Sequence, residues 1–147
     1  MFRLPDLWAK LQSLFRRTDA AEGSLGLRGE QLAARHLESL GMRIIERGLR
    51  YPCGELDLIA VDGDVIVFVE VKTRASGRRG SPSRAVDRKK QARMTRAALQ
   101  YLKSRRLLQS RTRFDVVSIV WPADGREPEV SYLRAAFEAR DFGGMYS

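Results

Sequence analysis

Cysteine is nearly absent from this 147-residue chain. Cys53 is the only one, so no internal disulfide can form, and with His36 as the only histidine a closed Cys/His zinc site is excluded. That cysteine usage fits a reducing compartment. No run approaches the roughly 18 apolar residues of a membrane span. The N-terminus lacks an uninterrupted apolar stretch followed by a small-residue cleavage site, which argues against a secretory signal. The expected location is the cytoplasm. No G-x-x-x-x-G-K-[ST] phosphate loop occurs, and no internal repeat is seen.

Acidic residues are missing from one long segment. Between Lys72 and Arg113 stand 15 Lys and Arg against a single acid, Asp87, whereas the rest of the chain is net acidic. The whole chain carries a net charge of +9. Charge segregated in this way is the electrostatic footprint of a polyanion partner, since solubility alone does not require segregation. The plainer reading is a solvated basic face. The cations expected to touch nucleic acid are Arg74, Arg84, Arg88, Lys89, Lys90 and Arg93.

An apolar share of 44% and this length suit one compact domain, at 23–147. Residues 1–22 read as an amphipathic appendage. Leu4, Leu7, Trp8, Leu11, Leu14 and Phe15 recur at helical spacing, a face suited to docking on the domain, a partner or a membrane surface. A helix is predicted from 25 to 40, closed by Gly41. Strands follow at 42–49, 54–61 and 65–71, with a hairpin turn at Asp62-Gly63-Asp64 between the last two. Residues 73–83 read as a mobile Gly/Ser/Arg loop and 83–106 as a long helix. A buried strand is predicted at 113–121, an edge strand at 130–133 and a final helix at 133–140. The order describes an α/β domain, a mixed sheet with helices on its faces.

Three charges interrupt apolar strands: Asp57 in GELDLIAV, and Glu70 and Lys72 at the end of VIVFVEVK. Buried charges are costly unless paired or bound to metal. Glu70 and Lys72 are two apart, so they leave the same face of their strand. A two-residue turn at either Asp62-Gly63 or Gly63-Asp64 sets Asp57 opposite Phe68 or Glu70, and both registers put it on that same face. Two carboxylates offer hard oxygen ligands for Mg²⁺ (or Mn²⁺), a metal that acidifies an attacking water and neutralises charge on phosphorus. Lys72 would orient the water or stabilise the transition state. The competing reading is a salt-bridged trio at a strand end. Glu30 lies beside the apolar stripe of its helix, with Gly26 and Gly29 nearby; it is either a metal ligand, direct or through water, or a first-turn glutamate favoured by the helix dipole. Glu55 reads as solvated, and Asp115 and His36 as structural.

The patterns G-x-x-G-E (26–30), G-E-L-D-L-I-A-x-D-G (54–63), V-F-V-E-V-K-x-R (67–74), A-V-x-x-x-K (85–90) and R-F-D-V-V (113–117) together resemble the YraN-like family of bacterial proteins, over about residues 24–138. That family is similar to archaeal Holliday junction resolvases and, more distantly, to restriction endonucleases. The resemblance implies a restriction-endonuclease-like αβββαβ core of the PD-(D/E)xK type and metal-dependent endonuclease cleavage of DNA, branched or duplex. It maps the helix acid onto Glu30, the first strand acid onto Asp57, and the E-x-K pair onto Glu70 and Lys72. Leu56 stands where the motif's proline would precede Asp57. A homodimer would supply the second site needed to cut two strands symmetrically. The alternative is a non-catalytic nucleic-acid-binding module that retains the fold.

Overall fold

The computed structural model describes residues 22–76 and 86–139, with side chains from residue 25 onward. All of the 1–22 appendage but Glu22, which begins the first helix, lies outside the described residues, as do Arg84 and most of the 73–83 loop. Seven elements follow in order: α1 (Glu22–Ser39), β1 (Arg43–Tyr51), β2 (Gly54–Asp62), β3 (Val65–Ala75), α2 (Arg88–Ser104), β4 (Arg111–Trp121) and β5 (Glu129–Phe137). The strands form one sheet in sequence order. Only β3 and β4 are parallel, and α2 is the crossover between them. This is the mixed α/β architecture expected, consistent with a restriction-endonuclease-like core. Among the described residues no helix is long and apolar enough to cross a membrane.

The alternation of β3 explains how two helices share one sheet. Ile66 and Phe68 face α2 and pack with Met94, Ala97, Ala98, Tyr101 and Leu102. Val67 and Val69 face the other way, onto Ala33, Ala34 and Leu37 of α1. Buried on both sides, the strand reads as a continuous apolar run. Phe68 is fully buried, and its ring meets Tyr101 edge-on at 6.1 Å and Phe114 at 5.5 Å. Burying such a side chain contributes about 1.5–3 kcal/mol.

Three boundaries depart from the sequence reading. Thr73 to Ala75 are not loop: they extend β3 and pair with Ile119 to Trp121 of β4. The 83–106 helix starts later, at Arg88, because Asp87 adopts an extended conformation and its carboxylate caps the Lys90 N–H at 2.8 Å. Among the described residues the final helix expected at 133–140 is absent. Residues Glu129–Phe137 form β5, antiparallel to β4.

The reason for that last difference is Asp115. Val116 pairs with Leu133 and Phe114 with Phe137, so Arg134 to Ala136 bulge opposite Asp115 alone. The Asp115 carboxylate, fully buried, fills the gap. It accepts the Ala135 N–H at 2.8 Å, the Arg113 Nε–H at 3.1 Å and the Tyr132 hydroxyl. Arg113 reaches on to Asp62 at 2.8 Å. Asp115 is therefore structural, as expected. His36 is too: its ring packs edge-on against Tyr132.

Candidate active site

The hairpin turn settles the register. Asp62 pairs with Val65, which makes Gly63-Asp64 the two turn residues, and the ladder continues to Leu58–Val69. The next positions in line are Asp57 and Glu70. Here β2 and β3 part, while β3 stays paired with β4 through Ala75. The Val71 N–H, left without a β2 carbonyl, is taken by the Asp57 carboxylate at 2.8 Å. Across β2, Gly48 falls between the Arg47–Leu58 and Leu49–Leu56 pairs with φ +59°, a left-handed conformation that favours glycine and turns β1 beside Asp57. The sheet thus opens at the point where the two carboxylates meet.

Glu70 follows Ile66 and Phe68 on the α2 face and is almost wholly buried, with 4% of its surface exposed. Its carboxylate is paired with the Lys90 ammonium from the first turn of α2. Burial works against the Lys90 charge, but the hydrogen-bonded Glu70 outweighs it and raises the Lys90 pKa. Asp57 is pushed from 3.8 to about 7, first by burial and then by the neighbouring Glu70 charge, with the Val71 N–H pulling the other way. Lys72 leaves the same face and is half-buried; burial lowers its pKa while Glu70 opposes the shift.

Glu30 approaches from the other side of the sheet, at its open edge. Gly29 makes this approach possible. A Cβ there would lie 2.1 Å from the Thr73 Oγ1, so only glycine lets α1 sit this close to the end of β3. Glu30 is raised from 4.5 to about 7 by burial and by the charges of Asp57 and Glu55, with Arg50 and Arg47 opposing. Among the described residues no three carboxylate, histidine or cysteine groups converge on one point as a ready-made metal cage. The donors therefore divide into a close pair, Asp57 and Glu70, and an outer acid, Glu30. That set suits Mg²⁺ or Mn²⁺, which needs one or two carboxylates and keeps several waters, through one of which Glu30 would act.

Of the cations expected to touch nucleic acid, Arg88, Lys89 and Arg93 are exposed on α2, and Arg74 is half-buried at the end of β3. Lys90 is set apart from them by its bond to Glu70. Sequence reasoning left Lys90, with Lys89 and Gln91, to touch either phosphates or the site and favoured phosphates; it did not name Glu70 as the partner. The Val71 N–H and the Gly48 turn were missed as well, and only Gly48, an isolated glycine in a strand, left a signal. Glu55 is solvated, as read, and lies 3.7 Å from Arg50.

Comparison with known proteins agrees with the motif reading. The description "Uncharacterised protein family UPF0102" matches residues 29–119, more than half of the chain. A UPF0102 protein of Geobacter metallireducens is 46% identical over 115 residues, covering 78% of this chain and 93% of its own. One of Rhodococcus jostii is 46% identical over 114 residues, covering 78% and 96%. One of Chlorobaculum tepidum is 42% identical over 123 residues, covering 81% and 95%. With the Glu30, Asp57, Glu70 and Lys72 motifs all inside or bordering the matched region, the chain belongs to the UPF0102 family, the YraN-like group its sequence resembles.

Proposed function

We propose that the protein is a Mg²⁺- or Mn²⁺-dependent endonuclease that hydrolyses DNA phosphodiester bonds in the cytoplasm. The observation that carries this reading is the Asp57–Glu70 carboxylate pair, Glu70 buried and Asp57 half-buried, at the opening of the β2–β3 ladder, beside Lys72 and below the basic face of α2. Two carboxylates held close together destabilise each other, and Lys90, the cation paired with Glu70, meets it from a half-exposed position, so a metal ion would add to the compensation.

Each residue then has a task. Asp57 and Glu70 would hold the metal, which would supply charge neutralisation at the phosphate and acidify water. The Val71 N–H fixes the Asp57 carboxylate. Lys72 orients the attacking water or stabilises the charge that grows on the phosphate oxygens. Glu30 would hold a metal-bound water at the edge of the site. Arg88, Lys89 and Arg93 bind backbone phosphates and so position the strand without reading its sequence. Branched or damaged DNA as the preferred form rests on the resemblance to junction resolvases, and a homodimer would pair two such sites.

The Lys90–Glu70 pair favours a second reading. A salt-bridged cluster is also what a non-catalytic nucleic-acid-binding module would keep. Purified protein should be incubated with Mg²⁺ or Mn²⁺ and linear, nicked, branched and single-stranded DNA, and with RNA. Cleavage that requires metal and disappears in Glu70→Gln supports the nuclease. Binding without cleavage, indifferent to Glu70→Gln, supports the module.

A further inference from the structure

Lys90 is bonded to a residue that, on the metal-site reading, already has another cation to serve. Its neighbours come from every element around it. Glu70 of β3 is in direct contact, Asp57 of β2 is within electrostatic reach, and Arg93 of α2 itself repels it. Lys72 feels Glu70, Lys90 and Asp87 in turn. The two ends of Lys90 are held differently. Its backbone N–H is pinned by the Asp87 cap at 2.8 Å, yet its side chain is 43% exposed, against 5% for Glu70. A flexible four-carbon stem on a fixed anchor carries a compact ammonium that can reach either the carboxylate or solvent.

We propose that Lys90 is a tethered counter-ion that exchanges with the metal at Glu70. In the metal-free protein its ammonium compensates the buried carboxylate. Metal binding displaces it, and it swings out to the exposed cationic face formed by Arg88, Lys89 and Arg93. The inference rests on the metal-site reading and assigns Lys90 a role different from that of a simple phosphate contact. It acts as a positioning residue: its ion pair holds the Glu70 carboxylate in place until metal arrives, at a cost to metal affinity, because two cations compete for one carboxylate.

Two measurements on the full chain test it. In the first, Mn²⁺ is titrated calorimetrically into the parent, Lys90→Met and Lys89→Met. Both variants lose the same charge, but Lys89 is exposed. The expected result is a tightening of about tenfold for Lys90→Met and less than about twofold for Lys89→Met, a difference on the order of 1 kcal/mol. Equal effects, or weaker binding in Lys90→Met, would overturn the proposal. The second needs no variant: trace amine labelling of the parent, read by mass spectrometry with Lys89 as internal reference. Lys90 should react faster once Mn²⁺ is added; an unchanged ratio would overturn the exchange. Mn²⁺ binding that is absent from the parent removes the metal-site reading and this inference with it. Binding that is lost in Glu70→Gln yet unchanged in Lys90→Met removes the inference alone.

Discussion

The Val71 N–H donates to the Asp57 Oδ2 at 2.8 Å, a main-chain donor of one strand held by the side chain of its neighbour. The bond replaces a ladder bond where β2 and β3 separate, so the carboxylate belongs to both the fold and the site. Asparagine keeps the acceptor oxygen and loses the charge. Asp57→Asn should therefore fold, bind duplex DNA within about twofold of the parent, and lose metal-dependent cleavage by on the order of 100-fold or more. Glu70→Gln should behave alike, and Lys72→Ala should lower the rate more than the affinity. Cleavage that survives both carboxylate substitutions in a clean preparation would falsify the proposed site.

The raised carboxyl groups fix the sign of a pH effect. Asp57 titrates at about 7 in the folded chain against an ordinary 3.8, and Glu30 at about 7 against 4.5. Between those limits the folded state holds protons that the unfolded state has released, so stability falls as pH rises through the window; below it both states are protonated. The melting temperature of the metal-free protein should drop from pH 5 to pH 8, and less so in Asp57→Asn. Saturating Mn²⁺ should restore stability at pH 8, where the carboxylates are ready to bind it. A metal-free melting temperature that rises over this range would contradict the assignment.

Gly29 sets how close α1 comes to the sheet. Gly29→Ala places a Cβ 2.1 Å from the Thr73 Oγ1. Either the Thr73 side chain or the helix must shift, and overpacking of this kind costs about 1–3 kcal/mol. Thr73→Ala removes the clashing oxygen, so the double variant should regain most of the stability in a denaturant melt. If the two substitutions add without recovery, the close approach of Gly29 to Thr73 is not what positions the helix.

The exposed α2 cations should govern salt dependence. Neutralising Arg88, Lys89 and Arg93 together with Lys90 should weaken DNA binding across sequences and flatten the slope of log affinity against log salt, by about one unit for each phosphate no longer neutralised. A parent-like slope in the quadruple variant would reduce the basic face to a solubility feature.

The centre of the fold was legible because its signals are local. Val65 to Val71 announced a strand buried on both faces, and Asp62-Gly63-Asp64 a two-residue turn whose register runs to Leu58–Val69, one step short of Asp57 and Glu70. Helix and strand limits set by tertiary contacts were not legible. Thr73 to Ala75 are polar or small, yet β4 supplies their hydrogen bonds. Leu133 to Phe137 is made of good helix formers, but the buried Asp115 carboxylate claims the Ala135 N–H and holds the segment as a bulged strand. The Lys90–Glu70 pair joins residues 20 apart in sequence, and no periodicity reports it.

The bulge at Ala135 also bears on how copies of this chain can meet. An edge strand is a template for a further strand only where its donors and acceptors run in regular alternation. Ala135 sits at φ +50°, and its N–H is turned inward to Asp115. The outer rim of β5 is thus broken along its length. A continuous intermolecular sheet across this edge is disfavoured, which guards β5 against strand-by-strand aggregation and directs any pairing of two copies away from this rim.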